Sequence, residues 1–143
     1  MKNLPNPNDL EIGDELPNYK TTISRTDIVK YAGAGGDFNP LHHDEEFAKS
    51  VGLPSIFAMG LLHGGFLTKV LTDWAGPTSV KRYKIRFIDT VWPNDELSCH
   101  AALKSKEIHN SRSLLSFDLS VITQDGRRVL AGEADIELTL QEN

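Results

Sequence analysis

Residues whose types and spacing suit acid–base chemistry lie together in the stretch from Gly35 to Asp44. This stretch carries two carboxylates, two histidines, an asparagine and a proline. Asp37 and His42 are five positions apart, and we expect a kinked backbone to let both side chains face one space. A carboxylate and an imidazole that share a space can exchange protons near neutral pH. The stretch therefore predicts a site for general acid–base catalysis.

The backbone of this stretch is predicted to be stiff. Gly35 and Gly36 can adopt angles that are closed to other residues, so the chain can turn sharply there. Pro40 lacks an amide donor and pushes the preceding Asn39 toward an extended conformation. Spacing alone leaves a structural interpretation open, in which Asp37 caps the loop and a histidine bonds the backbone.

Short helices are predicted on both sides of the stretch. Ser24 and Asp27 have the spacing of a capping box, and apolar residues at helical spacing continue to a helix end at or soon after Gly33. A short strand is predicted before this helix, from Tyr19 to Ile23. After the stretch, the acidic run Asp44–Glu46 matches the dipole of a helix N-terminus. We prefer this solvated helix start to a metal site.

The most apolar segment, Ile56–Trp74, is predicted to be a largely buried helix. Its apolar residues recur every three or four positions, which gives one continuous stripe. Gly60, Gly64 and Gly65 lie in or beside this helix, although a helical glycine costs about 1 kcal/mol relative to alanine. We expect them to let a sheet, a partner or a ligand pack closely against the helix backbone.

From residue 80 onward the apolar period changes to two, which is typical of strands with one buried face. Turn signals at Pro93–Asp95 and Asp125–Gly126 separate the runs, and Gly132 is interpreted as a bulge. The pattern predicts a four-stranded antiparallel meander, with strands around Tyr83–Phe87, Leu97–Leu103, Leu115–Val121 and Ala134–Leu140.

A buried helix followed by an antiparallel sheet predicts an α+β layer in which the sheet wraps the helix. A length of 143 residues is usual for one domain with one core, so we treat residues 1–143 as a single domain. One sheet and one helix make a thin monomer with exposed strand edges, and we expect a dimer that covers them.

Composition argues against several classes of partner. The formal net charge of −5 offers no basic stripe, so we expect no nucleic-acid partner. No apolar run is long enough to span a bilayer, and the N-terminus lacks the apolar core of a signal peptide. Cys99 is the only cysteine, which fits a reducing, cytoplasmic location. The histidines lack the spacing of metal ligands, and we expect neither a metal nor a cofactor.

Tyr31 followed by the run Gly36–His42 (GDFNPLH) closely resembles the hydratase motif of one enzyme family. This family is the MaoC-like (R)-specific enoyl-CoA hydratases and (3R)-hydroxyacyl thioester dehydratases. The resemblance extends from about Ile23 to Leu140. It implies the hot-dog fold, a curved antiparallel sheet around one long central helix, in a protein that is usually dimeric. It also implies a hydro-lyase that acts on trans-2-enoyl thioesters of coenzyme A or acyl carrier protein.

The resemblance assigns roles to individual residues. Asp37 and His42 become the catalytic pair, which activates the water that adds to Cβ and handles the proton delivered to Cα. The backbone amide of Gly60, at the start of the central helix, would hold the charge that develops on the carbonyl oxygen. Asn39 would brace the loop and Pro40 would fix its path. Our own expectation for substrate contacts, apart from the resemblance, is a set of four residues: Asn39, Pro40, Met59 and His63.

The sequence departs from the family pattern beside the helix start. Met59-Gly60 stands where the family often has His-Gly, and His63 has no clear family counterpart. On an apolar helix, we prefer to interpret His63 as a satisfied interior histidine and not as a second base, and contact with a ligand stays open.

Two other functions stay open. A hot-dog thioesterase would use a carboxylate to direct water at the thioester carbonyl, but His42 and the Asn39-Pro40 pair argue against it. A non-catalytic subunit of a heterodimeric dehydratase would have no need of an intact Asp37 and His42.

Overall fold

The computed structural model describes residues 6–139. In chain order the helices and strands are β1 (Tyr19–Thr22), α1 (Arg25–Gly35), α2 (Glu45–Ser50), α3 (Gly60–Ala75), β2 (Val80–Phe87), β3 (Glu96–His109), β4 (Arg112–Thr123) and β5 (Arg128–Thr139). Short 3₁₀ turns occur at Pro7–Asp9, Pro40–His42 and Pro77–Ser79. Within residues 6–139, no helix has both the length and the apolar character needed to cross a membrane.

The five strands form one antiparallel sheet in the order β1-β3-β4-β5-β2. Helix α3 contacts every strand of this sheet, and its apolar stripe joins the inward faces of the strands in one core. Alternate residues of β3, from Leu97 to Leu103, are buried, as a period of two requires. The predicted α+β architecture, a curved sheet around one long central helix, is confirmed.

The predicted four-stranded meander is wrong in one respect. Strands β3, β4 and β5 do form a meander, but β2 pairs with β5 at the far edge and not with β3. A two-residue turn at Asn110 and Ser111 joins β3 to β4, which holds those strands side by side. The connection from β2 to β3 is residues 88–95, long enough to carry the chain across the sheet. The predicted end of β5 at Leu140 lies outside the described residues.

Two glycines of the central helix allow the close packing that the sequence predicts. A Cβ on Gly64 would lie 2.9 Å from Cδ1 of Ile85, and the Tyr83 hydroxyl donates a hydrogen bond of 2.7 Å to the Gly64 carbonyl. A Cβ on Gly60 would lie 2.5 Å from the Phe87 ring. Gly65 differs, because it faces open space and has no close neighbour in the described chain.

Gly132 is not the bulge that the sequence suggested. Its pairing with Ile85 on one side and Leu119 on the other continues without a register shift. A Cβ there would clash with the Lys84 carbonyl oxygen and lie 3.2 Å from the Ile85 Cα. Glycine is therefore required because β2 approaches β5 closely at this point.

We predict that Gly132→Ala lowers the free energy of unfolding by roughly 1–3 kcal/mol, because backbone of β2 would have to move. Gly33→Ala is the matched control, since a Cβ on this helical glycine meets nothing within 4 Å. That change should raise stability by about 0.4–1 kcal/mol. Equilibrium denaturation in urea measures both, and a Gly132→Ala protein as stable as the wild type would contradict the packing argument.

Candidate active site

The end of α1 places Asp37 at the start of the loop that follows the helix. The capping box predicted for Ser24 and Asp27 is present at the start of this helix. At its end, Gly36 adopts a left-handed conformation with φ 69°, which a side chain would disfavour. The Asp37 amide then donates a hydrogen bond of 3.0 Å to the Ala32 carbonyl. This turn fixes the direction in which the Asp37 carboxylate leaves the helix.

Asn39 and Pro40 brace the loop that follows. The Asn39 side-chain oxygen accepts a hydrogen bond of 3.0 Å from the Leu41 amide, and the Asn39 amide lies 3.3 Å from Oδ1 of Asp37. Pro40 begins a 3₁₀ turn that ends at His42, and it has no amide that would need a partner there. The loop is therefore stiff, as predicted, and Asn39 acts within it as a cap.

His42 is held in one orientation by a backbone carbonyl. Its Nδ1 lies 2.8 Å from the Phe57 carbonyl oxygen, and because a carbonyl can only accept, Nδ1 carries a proton. The Phe57 ring packs edge-on against the imidazole, with ring centroids 4.9 Å apart. Nε2 is therefore the nitrogen left to exchange a proton with a ligand.

Asp37 and His42 face each other across a short gap. Oδ2 of Asp37 lies 3.5 Å from Nε2 of His42. The His42 side chain is 9% exposed, whereas the Asp37 side chain is 50% exposed, so the pair opens to solvent on the carboxylate side. At this separation one water molecule can donate a hydrogen bond to both atoms. The pair can therefore hold a water and take a proton from it.

The segment before α3 positions the second part of the site, which is the start of the helix at Gly60. The Phe57 amide donates to the Leu41 carbonyl at 3.2 Å, and the Ala58 amide donates to the Val91 carbonyl at 2.9 Å. These bonds fix the point at which α3 begins, at Gly60. Met59 precedes it and supplies no side-chain cap. The Gly60 amide at the start of α3 is thus available to an oxyanion, which the helix dipole also favours.

An open pocket of about 380 Å³ lies beside the start of α3. Gly60 and His63 line it from the helix, and Phe57, which holds His42, lines it from the preceding segment. Ala58 also lines it, and the remaining wall comes from the end of β2 and the connection after it: Phe87, Ile88, Asp89, Thr90 and Val91. Met59 is instead buried in the core, and Pro40 is half-buried in the loop.

His63 is interior, as one interpretation of the sequence held, but it is not satisfied. It is 2% exposed, and neither ring nitrogen has a hydrogen-bond partner among the described residues. Loss of solvation lowers the pKa of His63 to about 4, so the imidazole is neutral at neutral pH. Such a weak base does not suit the role of proton acceptor.

Two residues of the site were missed in the sequence. Phe57 matters through its carbonyl, and a backbone group leaves no signal in residue type. Phe87 is 51% exposed at the end of β2, and its ring covers Gly60. The strand pattern identified Phe87 only as an inward-facing residue. A large ring opposite a helix glycine was a usable signal, but only once the pairing of the strand and the helix was known.

The comparisons with known proteins point to one family. The model of the MaoC like domain family matches residues 8–124. The peroxisomal enoyl-CoA hydratase 2 of Arabidopsis thaliana is 34% identical over 105 residues, which cover 71% of this chain and 31% of that protein. The (R)-specific enoyl-CoA hydratase of Rhodospirillum rubrum is 29% identical over 117 residues, which cover 80% of this chain and 79% of that protein.

Among solved structures, the unliganded R-hydratase PhaJ1 of Pseudomonas aeruginosa has a TM-score of 0.77 at 25% identity, covering 95% of this chain and 90% of that one. The chain spans between 10% and 54% of the lengths of the first three curated relatives that it matches. The family match covers most of the chain and includes the loop that carries Asp37 and His42. The chain belongs to the MaoC-like domain family.

Proposed function

We propose that this protein reversibly hydrates trans-2-enoyl thioesters, linked to coenzyme A or acyl carrier protein, to (3R)-3-hydroxyacyl thioesters. The observation that carries the proposal is the gap of 3.5 Å between Oδ2 of Asp37 and Nε2 of His42, because it suits one shared water. The names of the relatives support the reaction and its R stereochemistry. In this assignment the protein is a hydro-lyase.

The proposed addition uses one water molecule for both new bonds. The water donates hydrogen bonds to Asp37 and His42, and its oxygen forms a bond to Cβ as one O–H bond breaks. The released proton passes to the pair, and the π electrons of the Cα–Cβ bond move toward the thioester carbonyl. A proton from the pair then forms the Cα–H bond. The net change is addition of H and OH, with both groups returned to their starting state.

The negative charge on the carbonyl oxygen needs a fixed donor. The Gly60 amide opens α3, where unpaired amides and the helix dipole favour an anion. Phe57 links the Gly60 amide to the Asp37–His42 pair. Its carbonyl oxygen lies 2.8 Å from Nδ1 of His42, and it precedes Gly60 by three residues. Asn39 and Pro40 support the substrate site by holding the loop rigid. Met59 is buried in the core and supports the site through packing.

A thioesterase is the first alternative. It would need only a carboxylate that directs water at the carbonyl carbon, and the fixed Nε2 of His42 beside Asp37 favours hydration instead. A non-catalytic partner subunit is the second alternative, and the intact pair argues against that role.

We propose a homodimer formed through the free edge of β2. This strand lies at the edge of the sheet, and exposed edges are usually covered. Leu61, Phe87 and Ile88 are 63%, 51% and 45% exposed beside it, a concentration of apolar surface that a second copy would bury. A heterodimer is the alternative assembly. The assignment of residues 1–143 to one domain and the cytoplasmic location stay predictions.

The first test follows crotonyl-CoA with purified protein, reading loss of the enoyl absorbance and release of free thiol in parallel. We expect loss of absorbance without thiol release. Asp37→Asn and His42→Ala should each lower kcat by about 10²–10⁴-fold, because each removes a group that handles the proton. Both variants keep the fold, which circular dichroism checks.

Release of thiol at the rate of absorbance loss would contradict hydration and favour the thioesterase. An inactive wild type calls for enoyl thioesters of longer chain and for carrier-bound ones. Failure with all of them would reject the proposed function.

A second prediction concerns the brace of the loop. Asn39→Ala removes the acceptor for the Leu41 amide and should lower kcat/KM by about tenfold or more, since the pair would lose its fixed geometry. Asn39→Ser is the control, because a serine oxygen can accept the same amide. Equal loss in both variants would show that the amide bond is not what matters.

A third prediction concerns assembly. Ile88→Glu places a charge beside the free edge of β2 and should shift the protein from dimer to monomer. Ile12→Glu is the control, since Ile12 is 67% exposed. It lies next to residues that hydrogen-bond to β3, toward the edge of the sheet opposite β2. Light scattering during size-exclusion chromatography measures the mass. A monomeric wild type, or a dimeric Ile88→Glu protein, would contradict the proposed interface.

A further inference from the structure

His63 is a buried polar side chain that the structure leaves without a partner. It is 2% exposed, and both of its ring nitrogens lack a hydrogen bond within the described part of the chain. An unpaired buried donor destabilises a fold, and leucine would fill a similar volume without that penalty. A histidine in this position therefore calls for a group outside the described residues to which it can donate.

The position of His63 on α3 points to that group. It is the fourth residue of a helix that begins at Gly60, so the two lie one turn apart on the same face. Side chains of a helix lean toward its N-terminus, which directs the imidazole toward the end where the Gly60 amide is free. Both residues line the pocket of about 380 Å³.

The surroundings keep the imidazole neutral and oriented. Phe87 packs edge-on against it, with ring centroids 5.9 Å apart, and also covers Gly60. The one carboxylate that lines the same pocket is Asp89, and it lies 3.5 Å from the guanidinium of Arg127. A neutral imidazole has one N–H donor. Such a donor polarises a carbonyl without giving up its proton, as in triosephosphate isomerase.

We propose that the neutral imidazole of His63 donates a second hydrogen bond to the thioester carbonyl oxygen, beside the amide of Gly60. The inference rests on the proposed function, because hydration builds negative charge on that oxygen. No proton leaves His63 in the step. When Cα is protonated, the electron pair on the carbonyl oxygen re-forms the C=O bond, and the imidazole is unchanged. His63 is then a catalytic residue in addition to Asp37 and His42.

The kinetic test compares His63→Leu with His63→Gln. A lost oxyanion donor lowers kcat by about 10²–10³-fold, so we expect a fall of this size in the leucine variant with KM little changed. The glutamine variant keeps an N–H donor and should recover part of kcat. The melting temperature of His63→Leu should equal or exceed that of the wild type, because an unpaired polar group has been removed.

A spectroscopic test separates donation from a structural role. Crotonyl-CoA with an isotope-labelled carbonyl is bound to Asp37→Asn, which turns it over slowly, and the carbonyl stretch is read by infrared difference spectroscopy before the substrate is consumed. We expect a shift to lower frequency that is reduced in the Asp37→Asn, His63→Leu double variant.

Three outcomes would overturn the inference. One is a wild type that hydrates crotonyl-CoA while His63→Leu stays within about threefold of its kcat. Another is an unchanged carbonyl band in the double variant. The third is dissociation of the His63→Leu dimer, which would assign the donor to a contact between subunits. A wild type that hydrates no enoyl thioester rejects the proposed function itself, and the inference with it.

Discussion

The hydrogen bond from Nδ1 of His42 to the Phe57 carbonyl is the interaction on which the rest of the site depends. It joins the loop after α1 to the segment that leads into α3. The bond settles which ring nitrogen carries the proton and leaves Nε2 facing Asp37. Because Phe57 lies just before Gly60, the same bond sets the proton-handling pair in register with the start of the central helix. Without it the His42 imidazole would lose the contact that fixes its orientation toward Asp37.

The close approach of the sheet to α3 is the second constraint. Glycines at positions 60 and 64 let Phe87 and Ile85 lie against the helix backbone, and Gly132 lets β2 lie against β5. Their combined effect is to place the end of β2 over the first turn of the helix. The pocket lined by Gly60 and His63 lies at that point, so the packing of the sheet against α3 shapes this part of the candidate site.

The sequence was informative wherever side-chain type determines structure. The capping box at Ser24, the apolar stripe of α3 and the alternation in β3 are local patterns, and each predicted its element correctly. The pairing of β2 with β5 was not predicted, because strand order depends on contacts between distant parts of the chain. The roles of Phe57 and Gly132 also escaped, since one acts through its carbonyl and the other through the absence of a side chain. His63 was identified as interior, but its missing partner is visible only in three dimensions.

In the proposed mechanism one water, held between Asp37 and His42, supplies both the hydroxyl at Cβ and, through the pair, the proton at Cα. Hydration of crotonyl-CoA in heavy water tests this mechanism, with the product analysed by proton NMR. We expect a single (3R) product that carries one deuterium at Cα, on the same face as the new hydroxyl, because one pair serves both positions. A mixture of diastereomers, or delivery of the deuterium to the opposite face, would contradict it.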